Sequence, residues 1–141
     1  MSTKRRLIYE LNSARHVLMK SLDARCRQAL GISSTQLSAL MVLHENPRCL
    51  MKDLAQTLLL DKSAVTGLVS RMESKALLQK LPCENDSRAV RLAITDTGER
   101  LREQGLQLLQ AENKVLESGF NEQELATISR FLCGVTARYS D

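Results

Sequence analysis

Asp61-Lys-Ser-Ala-Val-Thr-Gly-Leu-Val-Ser-Arg-Met-Glu73 has two unlike sides when wound at about 100° per residue. Val65, Leu68, Val69 and Met72 fall on one side, at the spacing of a helix packed on a core. Lys62, Ser63, Thr66, Gly67, Ser70 and Arg71 fall on the other. Exposed helix faces ordinarily favour Glu, Lys and Gln, so Ser, Thr and Gly here carry a cost in helix propensity. Small side chains let a helix approach base edges in a groove about 12 Å wide. Hydroxyls can reach bases or phosphates, and the cations neutralise backbone charge. Taken alone, the segment also reads as a polar surface helix with no special role.

Downstream, the period changes. Leu77–Leu81 and Ala89–Ile94 read as two strands, with Val90, Leu92 and Ile94 alternating with Arg91 and Ala93. Pro82-Cys-Glu-Asn-Asp-Ser-Arg88 between them is a polar hairpin tip. An Arg on a two-stranded arm can enter a narrow, electronegative minor groove; Arg88 at the tip and Arg91 just inside the second strand are the candidates. Asp86 is placed to hold the Arg88 guanidinium by a bidentate pair. The plain alternative is a surface turn whose exposed ion pair contributes little.

Upstream, Lys52–Leu59 reads as a short helix that turns into the next through Leu60-Asp-Lys-Ser63, with Asp61 or Ser63 as the N-cap. Cys49-Leu-Met51 is a minimal strand. A helix with Leu37, Leu40, Met41 and His44 on one face starts at the Ser33-Ser-Thr35 caps and ends at Asn46-Pro47. Leu7, Leu11, Ala14, Leu18 and Leu22 mark a long first helix, stopped by Gly31. At the other end, Thr95-Asp-Thr-Gly-Glu99 opens a long helix, with Asp96 and Glu99 resembling a capping box. Its heptad-spaced Leu101, Leu108 and Val115 have a coiled-coil flavour. Asn121 caps a last helix bearing Ile128, Phe131, Leu132 and Val135.

The predicted fold is mainly α with a small β-hairpin: a central helix–turn–helix followed by that hairpin and bracketed by long helices at both ends. Apolar helices wrapped around an independent unit of this size point to a shared two-fold interface. A symmetric dimer reads palindromic half-sites about 34–36 Å apart.

Composition agrees. The chain has 141 residues, a size for one domain, and 43% hydrophobic residues, enough for a core. Its net charge of +4 is uneven: +5 over residues 1–30, −1 over 31–47, +3 over 48–91 and −3 over 92–141. A moderately basic surface fits a polyanion, although a solvated face is as common. With aromatics at 3%, the chain is a poor base-stacking binder of single strands or RNA. No phosphate-cradling Gly loop, nucleophile–base pair or paired carboxylates point to an enzyme. Cys26, Cys49, Cys83 and Cys133 have no metal-ligand or dithiol spacing, so no metal or cofactor is expected. Cys49 and Cys133 read as core. No signal-peptide pattern or apolar span is present, and a soluble, reduced, cytoplasmic protein without membrane contact is expected.

Asp61–Glu73 with Lys75-Ala-Leu-Leu78, Asp86-Ser-Arg88 and Leu92-Ala-Ile-Thr-Asp-Thr-Gly98 resembles the MarR family of winged helix–turn–helix transcriptional regulators. The resemblance covers nearly the whole chain, including Gly31-Ile-Ser-Ser-Thr-Gln36. It implies a winged helix–turn–helix with a β-hairpin wing and long terminal helices forming a dimer lobe (residues 1–30 and 99–141) beside a DNA-binding lobe (31–98), and a homodimer on a double-stranded operator, acting as a repressor. Lys62, Ser63 and Thr66 fall where the family reads the major groove, Arg71 where the same helix meets phosphate, and Arg88 at the wing tip with Asp86 its partner. Ala76 stands where a Gly often follows the recognition helix, and Gly67 where larger, often basic residues are common. The resemblance further implies release from DNA by a small phenolic or other aromatic anion bound in the crevice between lobes. An oxidant-sensing branch of the family implies a thiol instead, for which Cys26 on the first helix and Cys83 at the wing base are the candidates. A winged-helix module that docks proteins without specific DNA binding is the rival from another class.

Overall fold

The computed structural model describes residues 4–140. Their order is α1 (Leu7–Leu30), α2 (Ser34–Glu45), β1 (Cys49–Leu50), α3 (Met51–Thr57), α4 (Lys62–Ser74), β2 (Leu78–Pro82), β3 (Val90–Ile94), α5 (Asp96–Glu117) and α6 (Glu122–Tyr139). This is the mostly helical, winged architecture expected. The chain divides into two compact units within α5, one ending at Gly105 and the other starting at Leu106.

In the N-terminal unit, local chemistry sets each boundary. Gly31 ends α1 in the left-handed conformation (φ 72°), and its N–H donates to the Arg27 carbonyl. Ser33 and Gln36 form a reciprocal capping box that starts α2. Asp61 accepts from the Ala64 N–H at 2.7 Å and starts α4. The three strands are antiparallel in the order β1-β3-β2. Central β3 pairs Leu92 with both Cys49 and Lys80, which places its only fully buried side chain, Leu92, over the core.

That core gathers Leu37, Leu40 and Leu43 of α2, Leu54 of α3, and Val65, Leu68, Val69 and Met72 of α4. On α2, Met41 is half-buried and His44 exposed. The first turns of α5 press on this core. Gly98 and Gly105 are both buried, and a Cβ at Gly105 would collide with the Leu37 side chain.

Two expectations about local chemistry are corrected. Asp96 does not cap α5; Thr95 Oγ1 accepts the Gly98 N–H at 3.0 Å and donates to the Ala76 carbonyl at 2.6 Å. Glu99 is drawn away from any capping role by His44 Nδ1 (2.9 Å) and Arg102 Nε (3.0 Å). The His44 hydrogen bond, then Arg102, holds its carboxyl below the usual carboxylate range.

Ala76, where the family often has Gly, adopts the left-handed turn all the same (φ 59°). An L residue there costs about 1–2 kcal/mol, against a Gly penalty in the unfolded chain of about 0.4–1 kcal/mol. Ala76→Gly is therefore expected to stabilise the protein by about 0.5–1 kcal/mol, read from urea midpoints at unchanged slope. A loss of stability would mean that the left-handed turn carries no strain.

In the C-terminal unit, Asn121 and Glu124 form the capping box expected at the start of α6. No residue of α6 is buried within the chain, and Ile128, Phe131 and Leu132 are 40–46% exposed. Cys133, expected in the core, is exposed. No described helix is long and apolar enough to cross a membrane.

Candidate nucleic-acid interface

Burial on α4 follows the periodicity. Val65, Leu68, Val69 and Met72 are at most 2% exposed, whereas Lys62, Ser63, Thr66, Ser70 and Arg71 are all exposed. Since α4 is anchored along one side only, its polar side is free over three turns. The helix presents a centre and two shoulders. Ser63, Gly67 and Ser70 lie opposite the buried stripe. Lys62 and Thr66 lie toward the wing, where with Asp86, Arg88 and Arg91 they line a groove of about 670 Å³. Ala64, Arg71 and Lys75 lie toward α1.

The hydroxyl of Thr66 donates to the Lys62 carbonyl at 2.7 Å. Its proton is used within the helix, and its lone pairs remain to accept from a base amino group. Among the described residues, no hydrogen bond or ion pair engages the side chains of Lys62, Arg71 or Arg88.

The wing differs from expectation in how it is held. Asp86 Oδ1 accepts the backbone N–H of Arg88 at 2.9 Å, and no ion pair between these two side chains exists among the described residues. Asp86 thus shapes the turn locally, as an Asx residue does, and leaves the Arg88 guanidinium without a carboxylate. Arg91 is a strut. Its Nη1 donates to the Arg48 carbonyl at 2.8 Å, fastening the approach to β1 onto β3. Arg48 is itself left-handed (φ 59°).

The cysteines fall into two kinds. Burial pushes the thiols of Cys26 and Cys49 up, and the nearby carboxylates Asp23 and Asp53 add to it; such thiols are poor nucleophiles. Cys83 goes the other way. The Asn85 N–H pointing at its sulfur lowers it, helped by the Asp86 N–H and the Arg91 guanidinium.

A second cavity, of about 710 Å³, lies among α1, the start of α2 and α4. Asp23 anchors its wall, accepting from the Ser34 N–H at 2.8 Å and from Arg27 Nε at 2.8 Å. Lys75 Nζ donates to the Gly31 carbonyl (3.1 Å) and to Gln36 Oε1 (3.2 Å), tying the end of α4 to the α1–α2 junction. Two further cations of the lining, Arg15 and Arg71, have no hydrogen-bond or ion-pair partner among the described residues. Neither Arg15 nor Lys75 stood out in the sequence, because a single cation on a helix gives no signal of where the helix will be packed.

The sequence model of the MarR family matches residues 30–89, which run from the end of α1 to the start of β3. Over that segment the chain is similar to the MarR family. FarR of Neisseria gonorrhoeae, an HTH-type transcriptional regulator, is 33% identical over 94 residues, covering 67% of this chain and 64% of that protein. The organic hydroperoxide resistance transcriptional regulator of Bacillus subtilis is 30% identical over 79 residues, 56% of this chain and 54% of its own length. The chain thus spans between half and two thirds of these two relatives. In fold, it is similar to MepR of S. aureus in complex with DNA, with a TM-score of 0.87 at 19% identity over 97% of this chain and 100% of that one. The chain is thus similar in sequence to HTH-type transcriptional regulators and shares its winged-helix fold with DNA-bound MepR.

Proposed function

We propose that this protein is a cytoplasmic homodimeric repressor that binds a palindromic operator and leaves it when a small aromatic anion binds. The reading rests on one observation above all: α4 is buried along Val65, Leu68, Val69 and Met72 and leaves Lys62, Ser63, Thr66, Ser70 and Arg71 in solvent. In the proposed complex that free side lies in a major groove, with Thr66 accepting from a base and the cations on phosphates. Arg88, without a carboxylate partner, enters the adjacent minor groove, while Asp86 and Arg91 position the wing that carries it.

Residues 1–30 and 99–141 form the dimer lobe and 31–98 the DNA-binding lobe in this reading. The exposed Ile8, Val17, Ile128 and Phe131 support a two-fold contact, since apolar side chains on otherwise polar helices find cover against a second copy. The effector reading is supported by the cavity beside α1, where Arg15 and Arg71 attract a carboxylate and Met19 and Leu68 offer apolar wall to a ring.

The test is retention of duplexes from the protein's own promoter region, followed by affinity across salt. The account predicts a log–log slope set by the phosphates contacted. Arg88→Ala should weaken binding by about 1–3 kcal/mol, roughly fivefold to 160-fold, with the dimer intact in sedimentation. Salt-independent binding, or none above bulk competitor DNA, would favour a protein-docking module instead.

A further inference from the structure

The guanidinium of Arg71 does not stand over its own position on α4. The side chain lies back toward the helix N-terminus and covers Gly67, so that a Cβ at position 67 would sit 3.1 Å from Nη1, 3.8 Å from Cζ and 3.9 Å from Nη2. Long helical side chains lean this way by their rotamers, and one turn back along the helix is about 5.4 Å. The charge is thereby carried from the C-terminal half of α4 to its middle, onto the line of Ser63, Gly67 and Ser70 that runs opposite the buried stripe. The residues native to that line offer two hydroxyls and a bare backbone. Nothing ties the guanidinium down. The carboxylates of α4 are engaged elsewhere, Asp61 on the Ala64 N–H and Glu73 on Lys80 at 3.6 Å. Lys75, the next cation along, is held by the Gly31 carbonyl and Gln36.

We propose that Arg71 is a specificity-determining residue: laid over Gly67, its guanidinium donates to N7 and O6 of a guanine in the major groove, one in each half-site. The proposal rests on α4 being the groove-bound helix and moves this one cation from a phosphate to a base. Phosphates border a groove and base edges floor it. Cations on the shoulders of α4 meet the border; a group on its centre line meets the floor. Guanine presents two acceptors side by side on its groove edge, and the planar guanidinium fork matches them as a pair. Gly67 makes the pose possible despite its low helix propensity. Without a Cβ, it lets the guanidinium lie flat on the helix, which can then come close to the bases. A larger side chain at 67 would occupy that place itself.

The experiment substitutes each base pair of a retained promoter duplex in turn. Affinity of full-length wild type, Arg71→Ala and Gly67→Ala is measured for every duplex over a range of salt. Wild type should prefer G·C at one pair of each half-site by about fivefold to 160-fold, the range of one bidentate base contact. Arg71→Ala should lose that preference, keep the others, and keep the salt slope, because a contact to a base edge neutralises no phosphate. Gly67→Ala, whose methyl group meets only the flexible end of Arg71, should be as helical as wild type by circular dichroism and weaken the preference at the same pair. If Arg71→Ala instead weakens all duplexes evenly, with a slope smaller by about 1, Arg71 sits on phosphate. If it leaves every preference in place, Arg71 reads nothing. Either result overturns the base contact while α4 remains the groove-bound helix. An unchanged pattern in Gly67→Ala overturns the pose over Gly67. If wild type retains no duplex, or treats all substituted duplexes alike, the base contact falls together with the sequence-specific operator.

Discussion

Gly98→Ala should unfold at a markedly lower temperature than wild type. By helix propensity alone the change would stabilise α5, by about 1 kcal/mol. Packing reverses the sign. A Cβ on Gly98 would run into the backbone carbonyl of Leu77 and stand 2.8 Å from Ile94 Cγ1. The carbonyl has no rotamer to escape into, because it accepts the Thr95 N–H at 3.1 Å and its own residue is buried. Relief requires α5 to move off the β2–β3 ladder, which also parts Thr95 from the Ala76 carbonyl. Overpacking of this kind costs about 1–3 kcal/mol, and the lost hydrogen bonds add about 1 kcal/mol. The net expectation is a loss of about 2 kcal/mol, or roughly 5–10 °C in melting temperature. A variant as stable as wild type would show that α5 does not approach the wing this closely.

Phe131→Glu is expected to convert the proposed dimer into monomers and to abolish operator binding. Within one chain α6 buries nothing, yet Ile128, Phe131 and Leu132 recur along it at helical spacing. A helix in a protein draws most of its stability from packing an apolar face rather than from propensity, and α6 buries no residue within one chain; a second copy supplies the missing contact in the proposed dimer. A carboxylate set into such a contact costs several kcal/mol. About 4 kcal/mol corresponds to a thousandfold weaker association, enough to leave monomers at micromolar concentration. A monomer meets a single half-site, so operator affinity falls with it. Sedimentation should show the mass halved, and circular dichroism should show the N-terminal unit still helical. A persisting dimer would place the two-fold contact elsewhere.

The sequence is most legible where one residue's chemistry acts locally. The small, hydroxylated side of α4, the Asp61 cap, the Gly31 stop and the Asn121–Glu124 box each depend on neighbours within four residues, and all appear in the fold as read. Its alternating strand likewise fixed which side of β3 faces the core. What escaped depends on contacts distant in sequence. Arg91 looks like any wing cation until β1 brings the Arg48 carbonyl beside it. Asp86 has two plausible partners in Arg88, guanidinium and N–H, and only the turn geometry selects the second. Thr95 outcompetes Asp96 as a cap because its hydroxyl also reaches Ala76 across the sheet. Ala76 gives no sign that its turn is left-handed. That Arg71 lines the cavity beside α1 follows from where α1 packs, which no spacing within α4 encodes.

Amide hydrogen exchange of the full-length protein, with and without a retained promoter duplex, tests the central claim most directly. The account predicts that DNA slows exchange at the start of α4 and in the loop from Cys83 to Ala89, where exposed backbone lies closest to the duplex. Protection confined to the terminal helices, or absent from both of those segments while the duplex is bound, would contradict it.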